Sequence, residues 1–95
     1  MATGDNYSDP TTKTSDVVLA LDRKSGKILW SRQLFPNDAF KNSCSSPGKA
    51  NCPDADGPDF DFGQPPILVS LANGRRALVI GQKSGVGHAL DPEKP

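Results

Sequence analysis

"DVVLALDRKSGKILWSRQL", residues 16–34, alternates Val17, Leu19 and Leu21 on one face with Val18, Ala20 and Asp22 on the other. It turns at Arg23-Lys24-Ser25-Gly26 and resumes over residues 27–34. β-Branched and aromatic residues around a short turn, with Gly26 where a positive φ is wanted, predict a β-hairpin. "PPILVSLANGRRALVIGQKSGVGHALDP", residues 65–92, repeats the grammar: a strand over 67–71, a tight turn at Asn73-Gly74, a strand over 77–81, a turn at Ser84-Gly85 and a strand over 86–91. "VLALDRKSG" at 18–26 and "GHALDPEKP" at 87–95 share Ala-Leu-Asp at equivalent positions, so one full copy of a repeating unit is followed by the beginning of another. The second copy reaches Pro95 where the first has Gly26, and its outer strand and tryptophan are missing from these residues.

The rest of the chain is loop-like. Leu, Ile, Val and Phe supply only 20 of 95 residues, and 17 of those fall in residues 17–35 and 67–90, which leaves a small core for one domain. Ten of 11 acids are Asp, and nine Gly and nine Pro accompany them, a composition that favours turns over helix. Residues 36–66 form a connection far longer than the roughly 4–6 residues usual between elements, so it is either a functional loop or a sign that something is missing. Net charge is zero, with 11 basic and 11 acidic residues spread along the chain, which excludes the basic stripe of a nucleic-acid binder and the basic amphipathic segment of a membrane-surface protein. No apolar run approaches a membrane span, and the polar start carries no signal-peptide pattern.

Within the loop, "CPDADGPDFDFGQPP" at 52–66 sets Asp54, Asp56, Asp59 and Asp61 in eight positions. An EF-hand is excluded by spacing, since the sixth position from Asp54 is Asp59 rather than Gly and no Glu closes the loop. A hydrated loop and an active-site rim both remain open on composition alone. Cys44 and Cys52 bracket the Pro-Gly turn of "SSPGKAN", so either a disulfide staple or two free thiols is compatible with the spacing. With His88 the sole histidine and no second Cys pair, the sequence disfavours a zinc site.

"ALDRKSGKILW" at 20–30 resembles the tryptophan-docking repeat of quinoprotein propellers, and "ATGDNYS", "PDFDFGQPPIL" and "GQKSGVGHALDP" follow in the order and spacing of pyrroloquinoline quinone (PQQ)-dependent alcohol dehydrogenases, closest to the polyvinyl-alcohol-dehydrogenase-like branch. The resemblance implies an all-β fold, parts of two antiparallel blades of an eight-bladed propeller. Residues 2–35 would be the latter part of one blade, 36–65 a connecting loop with an insertion, and 66–95 the first strands of the next. It implies PQQ and calcium as cofactors, a secondary or polymeric alcohol such as polyvinyl alcohol as substrate, cytochrome c as electron acceptor, and a periplasmic location. Carried onto this sequence, Asp61 between Phe60 and Phe62 is the catalytic base, with Asp59 a weaker candidate. Lys83 contacts the quinone oxygens, and Asp5 or Asn6, with Asp61, ligates calcium. Asp5 stands where the family pattern has Asn, which leaves the choice between Asp5 and Asn6 open. Trp30 packs between blades, Gly26 shapes the turn, His88 is structural, and Cys44 and Cys52 staple the insertion, as an oxidising compartment permits. The alternatives are a non-catalytic propeller scaffold and a small β module that binds a partner by a strand edge. The 95-residue chain in isolation is expected to expose strand edges open to self-association, and neither to bind PQQ nor to oxidise alcohols.

Overall fold

A computed structural model describes residues 1–94. Five strands form two antiparallel sheets: β1 (Val17–Leu21) with β2 (Ile28–Gln33), and β3 (Ile67–Ser70), β4 (Arg76–Gly81) and β5 (Gly87–Leu90) in the order β3-β4-β5. The only helical segment among the described residues is a 3-10 turn at Asn42–Ser45. The fold is all-β, as expected, and its two sheets match what parts of two propeller blades would contribute.

Each hairpin is set by local chemistry. Asp22 Oδ1 accepts the amides of Lys24 at 3.0 Å and Ser25 at 2.7 Å, a side-chain-capped turn that Gly26 completes at φ +73. The β1–β2 register then pairs Val17 with Gln33 and Ala20 with Trp30, with one irregularity between Ala20 and Leu21. Between β3 and β4, Asn73 Oδ1 accepts Arg75 N at 3.0 Å and Gly74 adopts φ +79. The amino-terminal residues run beside β1: Leu19 N donates to Met1 O and Thr3 N to Val17 O. That third row brings Gly4 and Asp5 to the end of the first sheet.

The two sheets meet over a small core of Val18, Phe62 and Ile80, flanked by Ala2, Trp30, Leu34 and Leu90. Trp30 lies on this seam, and its Nε1 donates to Pro92 O at 3.0 Å, just beyond β5. Its ring therefore joins one sheet to the other. The long loop is less shapeless than its composition implies: Cys44 and Cys52 are disulfide-bonded, and Ala39 forms parallel bridges with both Asn6 and Asp56.

Candidate functional site

Three separated segments converge where the loop crosses the ends of the sheets. Residues 59–61 lead towards β3; Phe62 turns into the core at 6% exposure, and Phe60 packs edge-to-face on Phe35 with ring centroids 5.0 Å apart. Both aromatics are thus absorbed in packing, and Asp61 between them lines the cavities at the surface. From the amino-terminal row, Asp5 N donates to Asp61 Oδ1 at 2.6 Å. The approach is so close that a Cβ on Gly4 would sit 2.5 Å from the same oxygen, so a side chain there would displace the Asp61 carboxylate. From the end of β4, Lys83 N donates to Asp61 O at 3.0 Å, and the Lys83 ammonium pairs with Asp59 Oδ2.

Asp5, Asp59 and Asp61 each present a carboxylate oxygen within 4.8 Å of the others, and all three are half-buried. Burial, then the neighbouring Asp61, pushes the Asp5 carboxyl up to about 7. Burial also acts to raise Asp61, but the amide and side chain of Asp5, together with Asp59 and Lys83, outweigh it and hold Asp61 below the usual carboxylate range. The hydrogen bond that Lys83 donates to the Asp59 carboxylate raises the Lys83 pKa. The resulting division has Asp61 as the ionised member and Asp5 as the proton holder.

Asp61 forms part of the wall of two cavities. One, of about 550 Å³, is also lined by Gly63, Gln64, Gly81, Gln82 and Lys83. The other, of about 460 Å³, is lined by Tyr7, Phe40, Lys41, Asn42 and Asp59. A carboxylate placed between two such spaces can exchange a proton with a molecule in one while a second molecule occupies the other.

Compared with curated proteins, the chain is 41% identical over 93 residues to a polyvinyl alcohol dehydrogenase of a Pseudomonas species. It is 42% identical over 94 residues to the polyvinyl alcohol dehydrogenase of Sphingopyxis sp. strain 113P3. The chain is homologous to polyvinyl alcohol dehydrogenases. The matches take in 98% and 97% of this chain but 14% of each relative, so the chain spans about one seventh of the length of the curated relatives it matches. No family model matches, and no solved structure does.

Of the residues read from sequence, Asp61, Lys83 and Asp5 come together. Asn6 follows a different path: its Oδ1 accepts Thr12 N at 2.8 Å and serves the amino-terminal loop, and Asp59 supplies the third carboxylate. His88 contacts Gln82 Oε1 at 3.1 Å and stacks edge-on to Phe62 with centroids 6.0 Å apart. Two residues behind the site were not anticipated. Asp16 and Asp38 are both fully buried, with Asp38 accepting backbone amides and Asp16 having no donor to either carboxylate oxygen. Burial, followed by the charges of Asp38, Asp61 and Asp5, pushes Asp16 up to about 7. The only sequence signal for Asp38 was its apolar setting between Phe35 and Ala39-Phe40.

Proposed function

We propose that this chain is part of a PQQ- and calcium-dependent dehydrogenase that oxidises secondary or polymeric alcohols in the periplasm and passes electrons to a cytochrome c. The observation that carries the proposal is the position of Asp61 in the wall of both cavities, with Lys83 in one of them and the Asp5–Asp59 pair alongside. Homology to polyvinyl alcohol dehydrogenases supports the polymeric substrate.

The residues present fit both cofactors. Hard oxygen donors suit calcium, and the three carboxylates leave Asp5 Oδ2 buried without a hydrogen-bond partner, an atom that a cation would satisfy. Asp5, Asp59 and Asp61 are therefore the proposed calcium ligands. A cation there would also relieve the repulsion that keeps Asp5 protonated. Lys83, at the mouth of the larger cavity, supplies the positive charge that a quinone oxygen requires.

When bound, PQQ supplies the hydride acceptor. The chain supplies the proton acceptor: ionised Asp61 takes the hydroxyl proton as the carbinol hydride leaves, and a secondary alcohol becomes a ketone. Phe60 and Phe62 anchor the peptide on either side, so the carboxylate does not swing into solvent. The disulfide between Cys44 and Cys52 accords with an oxidising compartment.

The test is Asp61→Asn in the full-length polypeptide that carries this segment, loaded with PQQ and calcium. The isosteric amide keeps an acceptor for Asp5 N but cannot act as a base. Turnover of a secondary alcohol is expected to fall by about 10²–10⁴-fold, with thermal unfolding shifted by no more than a few degrees. A variant that retains most of its turnover would remove Asp61 from the chemistry.

A further inference from the structure

Residues 38–40 form a spine on which both halves of the acidic cluster hang. On one side Asn6 N donates to Asp38 O at 3.2 Å and Phe40 N to Asn6 O at 2.8 Å, which fixes the segment carrying Asp5. On the other, Ala39 N donates to Ala55 O and Gly57 N to Ala39 O, both at 3.1 Å, which fixes the segment leading to Asp59. The backbone pairing accounts for residues 55–57 but stops short of the site. The Asp38 side chain continues it: Oδ1 accepts Asp59 N at 3.1 Å and Oδ2 accepts Phe60 N at 2.7 Å.

Three features mark these contacts as more than a convenient cap. Asp38 is fully buried, so its carboxylate has no water to fall back on, and two N–H donors to one carboxylate are charge-assisted. Asp59 adopts φ +64, a left-handed conformation that aspartate tolerates better than most residues and that the Asp38 carboxylate holds through the Asp59 and Phe60 amides. Finally, a Cβ on Gly57 would lie 2.1 Å from Asp38 Oδ1 and 2.8 Å from Asp38 Cα, so the loop closes on this carboxylate only because residue 57 has no side chain.

We infer that Asp38 is a positioning residue: its carboxylate fixes the backbone at Asp59 and Phe60 and thereby aims the Asp59 and Asp61 carboxylates at Asp5 and at one another. It touches neither substrate nor cofactor. The kinetic consequence rests on the dehydrogenase reading above, whereas the geometric one does not.

The experiment uses the full-length polypeptide with Asp38→Ala, Asp38→Asn and Gly57→Ala, the last displacing the carboxylate without altering it. Two quantities are read: terbium affinity of the quinone-free protein, with Tb³⁺ as a luminescent calcium probe, and kcat and KM of the loaded protein on a secondary alcohol. For Asp38→Ala and Gly57→Ala, kcat is expected to drop by about 10²-fold while KM moves by less than about threefold, because misplacement of about 1 Å is felt in the transition state rather than in binding. Terbium affinity should weaken by about tenfold in both, and Asp38→Asn should fall between them and wild type, since its amide keeps one of two acceptors. A residue needed only for folding would lower the yield of active protein without changing the kcat-to-KM split or the terbium affinity of the folded fraction. If Asp38→Ala does not fold, Asp38→Asn and Gly57→Ala decide. Terbium affinity and kcat within about twofold of wild type in the folded variants would overturn the inference. If the wild-type protein oxidises no alcohol, the dehydrogenase reading fails alone and terbium affinity judges Asp38. If the wild type binds no terbium, there is no cluster to aim and the inference fails as well.

Discussion

Asp16→Asn offers a test of the buried acids that is independent of catalysis. Asp16 is wholly buried at φ +47, its amide donates to Gly4 O at 3.0 Å, and its carbonyl accepts Leu34 N at 3.0 Å. Its backbone is held in place while its carboxyl lies beside that of Asp38 with no donor, and burial first, then Asp38, raises it to about 7 from 3.8. A folded-state pKa above the unfolded one means that the stabilisation is complete below pH 3.8, is lost progressively as pH rises towards 7, and stays lost above that. Three units at about 1.4 kcal/mol each give a loss of about 4 kcal/mol, of which about 3 kcal/mol falls between pH 4.5 and 8. Asparagine is isosteric, tolerates the left-handed backbone and never ionises. The variant should therefore lead wild type by only about 1 kcal/mol at pH 4.5 and by about 3 kcal/mol more at pH 8. In a polypeptide as long as that relative, roughly 650 residues given that 93 residues make up 14% of it, a widening of about 3 kcal/mol corresponds to about 2 °C in Tm. Differential scanning calorimetry in chelator at both pH values measures it. An Asn variant less stable than wild type at pH 8, or a gap that does not change with pH, would refute the claim that Asp16 is held protonated.

Two further expectations follow from the geometry. Gly4→Ala, at a residue with ordinary φ but with Asp61 Oδ1 only 2.5 Å from its would-be Cβ, should lower kcat by about 10–10²-fold with little change in Tm; steady-state kinetics at unchanged fold would check it. Cys44→Ser with Cys52→Ser opens a disulfide whose partners are 8 residues apart, for which loop entropy gives about 2–3 kcal/mol; the readout is faster limited proteolysis between residues 42 and 57, and an unchanged cleavage rate would count against the staple.

The strands were legible because their signals are local. Alternation over residues 17–21, an Asp22 that caps its own turn and a Gly26 at positive φ are all contained within ten residues. Trp30 on the seam and the convergence of Asp61 with Lys83 came from resemblance to a repeat family, since no spacing rule brings residues 22 positions apart to one place. Asp16 and Asp38 were illegible for the same reason. Each looks like a hydrated surface acid in sequence; Asp38 is buried beside the bridges from Ala39 to Asn6 and Asp56, 33 and 17 positions away, and Asp16 between Gly4 and Leu34 at the entry to β1. For Asn6 the sequence offered only an amide oxygen of the kind calcium accepts, and the structure shows that oxygen accepting Thr12 N at 2.8 Å.

Burial in this chain is distributed unevenly, and the pattern bears on how the site is built. The sheet faces are open, with Leu29 65% exposed, Ile67 61% and Leu68 52%, whereas the fully buried polar side chains, Asp16 and Asp38, lie behind the acidic cluster. A free-standing domain would close its apolar faces first, because each large side chain left in water forgoes about 1.5–3 kcal/mol of burial. Here the covered region is the loop scaffold and the Val18-Phe62-Ile80 seam beneath it. Stacked blades would cover the open faces, as Trp30 against Pro92 already closes one seam between the two sheets. The carboxylate geometry is thus encoded within these residues, while the exposed apolar faces of both sheets add nothing to holding it unless a further layer covers them.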